Sequence, residues 1–228
     1  MRLLLLLAFV LLLPVPAAQA QVIGAFQTDC RLGGEQTEGS YQFVVECPGK
    51  AWSPDRRFAV VQRPYRQKQP VVELQDARGR TLTRFPTLTD EMPFTVHWAP
   101  NSRRFFVNHY VGSSMSVLRV FEIVGQRAVE RRALPDAAVR IATRRYPCLP
   151  PHQVLPNGAR WTRDSQRIVL VTISRPDACG DFYQPRGDWQ SLWMIGDMAT
   201  GRIDPASIRV DRGNTGLTMP RDGAYSRP

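Results

Sequence analysis

Residues 98–114 read WAPNSRRFFVNHYVGSS. Two readings compete for this stretch. Its second half holds Asn108, His109 and Tyr110, followed by Gly112, Ser113 and Ser114, so a histidine lies close to two serine hydroxyls. Its first half holds a Trp, a Pro-Asn turn and an apolar run. Proline at the second position of a turn, followed by Asn or Asp, is favoured turn chemistry. Phe105, Phe106 and Val107 then have the residue types that strands prefer. A serine nucleophile needs a base, an orienting acid and an oxyanion hole. The VGSSM segment lacks the G-x-S-x-G elbow, and spacing picks out no partner acid. The stretch therefore reads as turn, strand and hairpin. His109, Tyr110 and Ser113 become candidate contact residues at the strand end rather than members of a triad.

The same pattern recurs outward from this segment. WSPDRRFAVV begins at Trp52 and WTRDSQRIVLV at Trp161. Each unit runs Trp, polar turn, apolar strand, then a second strand-like run closed by Gly79, Gly125 or Gly201. Trp52 to Gly79 and Trp98 to Gly125 are both 27 residues apart. The third unit is stretched by insertions of 17 residues before Trp161 and 13 after it. Aligned on the Phe or Ile after the turn, the first unit is one residue shorter than the others. Repetition at a fixed period is the mark of a stacked-repeat architecture. Helical periodicity is weak, and 19 prolines oppose long helices. One short segment, about Asp136 to Arg145, reads equally as helix or loop.

The W-S-P-D start resembles the WD40-like β-propeller repeat of the TolB type, in which W-S-P-D-G opens a blade. Trp52-Ser53-Pro54-Asp55 matches it, Trp98-Ala99-Pro100-Asn101 nearly so, and Trp161 with Asp164 keeps only Trp and Asp. The family glycine is absent, with Arg56, Ser102 and Ser165 there or nearby. The resemblance spans roughly residues 50 to 203. It implies an all-β, propeller-like domain over 21–210 with three recognisable blades. Propellers usually have four to eight. A fourth blade built from Val22–Pro48 and Ile208–Val210, an open fragment, and a dimer that protects its edges all fit this count.

Residues 1–20 have a secretory signal: Arg2, the apolar run Leu3–Leu13, then Ala18-Gln19-Ala20 as the cleavage site. The run is too short to cross a bilayer of about 30 Å. No cysteine follows the cleavage site directly, so no lipid anchor is expected and the mature chain is read as periplasmic or secreted. There, Cys30, Cys47, Cys148 and Cys179 favour two disulfides. Cys148 and Cys179 fall one in each insertion of the third unit, which pairs them and leaves Cys30 for Cys47. The closed loops would each stabilise by about 2–4 kcal/mol. Residues 211–228, rich in Gly, Pro and polar side chains, read as a flexible tail.

The chain carries 30 basic and 20 acidic residues, a net charge of +10, and all but Lys50 and Lys68 of the basic residues are Arg. No aromatic-basic stripe or known motif joins these arginines into a nucleic-acid footprint, which leaves a weak attraction to anionic surfaces. Three isolated histidines make no metal site. Asp177, Asp181 and Asp188 lack the calcium-loop pattern, and no cofactor is implied. Phe182, Tyr183, Arg186 and Trp189, on the second insertion, have the residue types that binding hot spots use. The function read from the sequence is an exported cell-envelope binding module with a protein partner, as the resemblance implies, and no evident catalytic site. The alternative is a hydrolase or lyase acting on an anionic envelope polymer. Peptide mapping without reduction is expected to recover Cys148 bridged to Cys179; a Cys30–Cys148 or Cys30–Cys179 peptide would overturn the insertion argument.

Overall fold

The computed structural model describes residues 49–62, 72–85, 94–112, 115–147, 149–174, 190–212, 219–220 and 223–225. The four cysteines and the signal segment lie outside them. The described chain is mostly β, in three antiparallel sheets. The first is a meander of β1 (Gly49–Trp52), β2 (Phe58–Gln62), β3 (Val72–Asp76) and β4 (Thr81–Phe85). The second repeats it with β5 (Phe94–Trp98), β6 (Arg104–Gly112), β7 (Met115–Val124) and β8 (Arg127–Glu130). After helix α1 (Ala133–Arg145), the third has β9 (Pro156–Trp161), β10 (Arg167–Ser174), β11 (Gln190–Asp197) and β12 (Arg202–Ile203). A further strand, β13 (Arg209–Arg212), pairs with the other half of β11, Leu192 facing Val210.

Residues 208–210 were candidates for a fourth sheet with the N-terminal segment. Arg209 and Val210 pair with Trp193 and Leu192 in the third sheet, and Val22–Pro48 lies outside the described residues. Pro205 cannot donate to a ladder, so the last strand breaks there. Ser207 bridges the gap: its hydroxyl accepts from the Ile195 N–H at 2.9 Å and donates to the Asp204 carbonyl at 2.6 Å.

Strand alternation places the cores between the sheets. Val60, Leu74, Val96, Phe105, Val107 and Phe121 share one cluster between the first and second sheets. Phe106, Leu118 and Val120 turn the other way, onto Ile168, Leu170 and Met194 of the third. The far face of the third sheet buries Val169, Val171, Trp193 and Ile195 against Tyr225, which is 2% exposed. The Tyr225 hydroxyl donates to the Ser207 carbonyl at 2.7 Å, and the Arg160 guanidinium donates to the Tyr225 carbonyl. At these described positions, the stretch read as a tail covers the last sheet.

Helix α1 occupies the first insertion. Leu134, Ala137, Ala138 and Ala142 are buried at helical spacing, with Asp136 in the first turn and Arg144 and Arg145 in the last, matching the helix dipole. Its first turn closes directly onto the third sheet. A Cβ on Gly201 would stand 2.6 Å from that of Ala133.

The turn after each Trp is the same structure three times. Trp52, Trp98 and Trp161 end their strands and pair with Ala59, Phe105 and Ile168, seven residues on in every case. The first unit is therefore not shorter; Phe58 stands at the place of Arg104 and Arg167. Each turn closes by matching backbone bonds, such as Arg56 N–H to the Ser53 carbonyl and Ser102 N–H to the Ala99 carbonyl, both 2.9 Å. The fourth residue after each Trp is left-handed: Arg56 (φ 56°), Ser102 (φ 58°) and Ser165 (φ 59°). This is where the W-S-P-D-G pattern has glycine. A side chain in that conformation costs about 1–2 kcal/mol.

The two serines return something for that cost. The Asp55 N–H donates to Ser102 Oγ at 3.0 Å, and the Asn101 N–H to Ser165 Oγ at 2.9 Å. Each is a link from one sheet to the next. Beside it, Trp98 Nε1 donates to the Ala51 carbonyl at 3.0 Å and Trp161 Nε1 to the His97 carbonyl at 2.9 Å. Arg56 is exposed and makes no such link. Arg56→Gly is expected to stabilise by about 1 kcal/mol through relief of backbone strain. Ser102→Ala keeps the strain, orphans the Asp55 N–H, and is expected to destabilise by about 1–2 kcal/mol. Urea melts check both; equal effects at the two positions would contradict this assignment.

Candidate functional site

In a four-strand meander the first and third turns lie at one end of the sheet and the second at the other. Six turns of three sheets therefore share an end, residues 53–57, 77–80, 99–103, 125–126, 162–166 and 198–201. The serine links join the three first turns. The Arg80 guanidinium, donating to the Gln126 side chain at 3.2 Å, joins two of the third turns. Arg104 ties the second sheet to the third by donating to the Ser165 carbonyl at 3.0 Å.

The acidic groups of this end are bonded within or beside their own turns. Asp55 pairs with Arg57, Asp76 with Arg80 at 3.1 Å, and Glu122 with Arg104 at 3.1 Å and Arg131 at 2.8 Å. The Arg80 N–H, the Thr162 hydroxyl and the Thr200 N–H hold Asp76, Asp164 and Asp197 respectively below the usual carboxylate range. Partial burial opposes ionisation of Asp55 and Glu122. Bonds from Arg57 and Ser53 to the first, and from Arg131 and Arg104 to the second, outweigh it and lower both.

Arginines are left over. Arg56, Arg103 and Arg163 on the first turns, and Arg78, Arg127 and Arg202 at the third, are all exposed. None of the six forms an ion pair among the described residues. Four of the six turns thus hold a guanidinium without an ion pair among the described residues, and after the other two β8 and β12 each open on one. From the sequence these arginines read only as net positive charge that no stripe or motif joins. The signal was available, because an arginine falls within five residues after each repeat Trp and within two residues of each turn Gly.

The opposite end holds His109 and Tyr110, two of the residues that the sequence picked out. The hairpin read from the sequence forms, with β6 and β7 paired antiparallel. His109 stands within β6, buried at 6% exposure, rather than on a loop surface. Tyr110 is in the same strand, paired with Ser116. Ser113, Phe182, Tyr183, Arg186 and Trp189 lie outside the described residues. Asn108, which sequence reasoning passed over, holds this end of the second sheet to the third. Its Nδ2 donates to the Gly158 carbonyl and its Oδ1 accepts from the Gly158 N–H, both at 2.8 Å. Gly158 is required there, since a Cβ would lie 2.6 Å from the Phe106 ring.

Two further titratable groups are structural. Glu73, the one buried carboxylate among the described residues, accepts from the Gln75 amide, the Thr81 hydroxyl and Arg84 at 2.9–3.2 Å. His97 stacks on Phe106 with ring centroids 4.5 Å apart, and burial pushes its pKa down to about 4. Among the described residues no cluster of His, Cys, Asp and Glu has the makings of a metal site, and no helix is long and apolar enough to cross a membrane. Neither a protein-family model nor a curated protein matches the chain.

His97 sets a pH dependence. The folded ring stays neutral down to about pH 4, whereas the unfolded ring takes up a proton below about 6.5. Stability is then flat above pH 6.5 and falls as pH drops from 6.5 toward 4, by on the order of 2–3 kcal/mol. Denaturant melts across this window are expected to show that slope, and His97→Phe to flatten it. An unchanged slope in the variant would assign the acid sensitivity elsewhere.

Proposed function

We propose that this chain is an exported, non-catalytic binding module of the cell envelope, with its three sheets acting as propeller-type blades and its six-turn end as the contact face. One observation carries the reading: each turn at that end holds, or is directly followed by, an arginine without an ion pair among the described residues, while the acidic residues of the same turns are bonded internally. A folded domain that needed those charges only for stability would pair them. Exposed guanidinium groups on a rigid frame instead suit an acidic partner, since a preorganised face loses little freedom on binding.

The frame supports the same view. Turn backbones are tied to their neighbours by the Ser102 and Ser165 hydroxyls, so the arginines are held in order across the sheets. Loops positioned by a rigid scaffold are where binding functions concentrate.

Crosslinking of the mature protein in its native envelope tests this. Crosslinks to an acidic partner are expected from residues 53–57, 99–103 and 162–166. They should be lost in the Arg56→Ala, Arg103→Ala, Arg163→Ala triple variant, with its melting temperature unchanged. A folded triple variant that keeps the wild-type crosslinks would sink the assignment of this face.

A further inference from the structure

The spacing of the six arginines says what kind of anion suits them. Arg56, Arg103 and Arg163 stand four, five and two residues after Trp52, Trp98 and Trp161; they lie on consecutive first turns, and sheets stacked face to face stand about 10 Å apart, so the three are spread over neighbouring sheets on that scale. First and third turns of one sheet are two strands apart, again roughly 10 Å, so Arg78 and Arg127 begin a second row alongside. Hydrogen bonds between neighbouring turns keep both rows in order. A compact anion such as a single phosphate needs donors that converge on one point. These arginines are distributed over three sheets instead.

The face also lacks what nucleic acid needs. Single strands stack their bases on aromatic rings, and a duplex groove admits a helix or a two-stranded ribbon. The exposed large apolar side chains among the described residues are Val124 and Val129, neither of them aromatic. The turns at this end are short and offer no protruding helix.

Resting on the binding-module reading of this face, we propose that its ligand is a linear acidic polysaccharide. Such a chain carries carboxylate or sulfate groups at a regular, disaccharide-scale repeat along an extended backbone. A guanidinium fork meets a carboxylate or sulfate through two parallel N–H···O bonds. A ladder of such forks reads charge spacing without contacting a base or an apolar group. Sugar hydroxyls can accept from guanidinium N–H groups that the acid leaves unused. The polymer would run along the row of first turns, crossing all three sheets.

Titration calorimetry with alginate oligomers of defined length, and with dextran sulfate as a second arm, tests the proposal on the mature chain. Affinity is expected to rise with oligomer length and level off once a chain spans the three first turns. It should fall steeply with salt, as for any polyanion bound by several cations. The Arg56→Ala, Arg103→Ala, Arg163→Ala variant is expected to lose about tenfold or more, since three exposed charge contacts are removed. Arg140→Ala, Arg144→Ala, Arg145→Ala removes the same charge from α1, away from this end, and is expected to change affinity by less than about twofold.

Tighter binding of alginate supports a carboxylate ligand, and tighter binding of dextran sulfate a sulfated one. Equal losses in the two triple variants, or binding independent of length, would overturn the proposal in favour of diffuse attraction. If neither glycan binds while the turn variant still loses its envelope crosslinks, the polysaccharide assignment falls and the contact face stands. If neither glycan binding nor crosslinking depends on the three turn arginines, both fall.

Discussion

The indole N–H bond between successive sheets is the constraint on which the rest depends. Trp98 reaches back to the carbonyl before Trp52, and Trp161 to the carbonyl before Trp98. The same offset in both cases means that each sheet is set on its predecessor by one rule. A tryptophan buries a large apolar surface but has a polar atom that must find a partner. Here the partner is a strand carbonyl of the neighbouring sheet, so burying the ring and fixing the sheet's position become one event. The serine links repeat the rule one turn further on. Together they turn a backbone-strain cost into a contact between sheets, and that explains why a non-glycine residue is tolerated at the left-handed position.

This stacking rule has an end, and the molecule treats its ends differently. On the third sheet, Tyr225 and Met219 cover the apolar face that a further sheet would occupy. Repeat arrays need such terminal cover to keep an apolar face from water. In the first sheet the left-handed position holds Arg56, exposed, where the other two hold a buried serine. The position is the same and its role differs with the neighbour, which is what a repeat with nearest-neighbour interfaces predicts. Among the described residues helix α1 is the one large departure, and it is accommodated by glycines 196 and 201 on the third sheet, which leave room for Leu134 and Ala133.

Charge follows the same geometry. A meander gathers its first and third turns at one end, so any residue type that recurs at turns is gathered there too. Acidic turn residues serve the turn itself, because a carboxylate accepts from the backbone N–H groups that a tight bend exposes. Arginine has no acceptor to offer and a long side chain, so it projects outward. The cationic end needs no special device beyond arginines placed at repeated turns.

Much of this was legible in the residues alone. Trp, turn, strand and closing glycine at matching intervals determined the β class and the repeat, because turn chemistry and side-chain alternation act within a few residues. The TolB-type likeness directed attention to the fourth residue after each Trp, where the left-handed backbone is found. Other features were decided only by the folded chain. Aligning on the apolar residue after the turn put Phe58 one place out, since only strand pairing shows which residue closes the bend. His109 read as a contact residue at the strand end, and only the length of β6 and the packing around it show that it is buried. Asn108 carried no local mark at all, because its partner, Gly158, is 50 residues away. The arginines are the clearest case: the sequence by itself determined how many there are and that they follow the turns, while the stacking of three meanders decided that they share one face, because sharing an end is a property of strand order and not of any neighbouring residue.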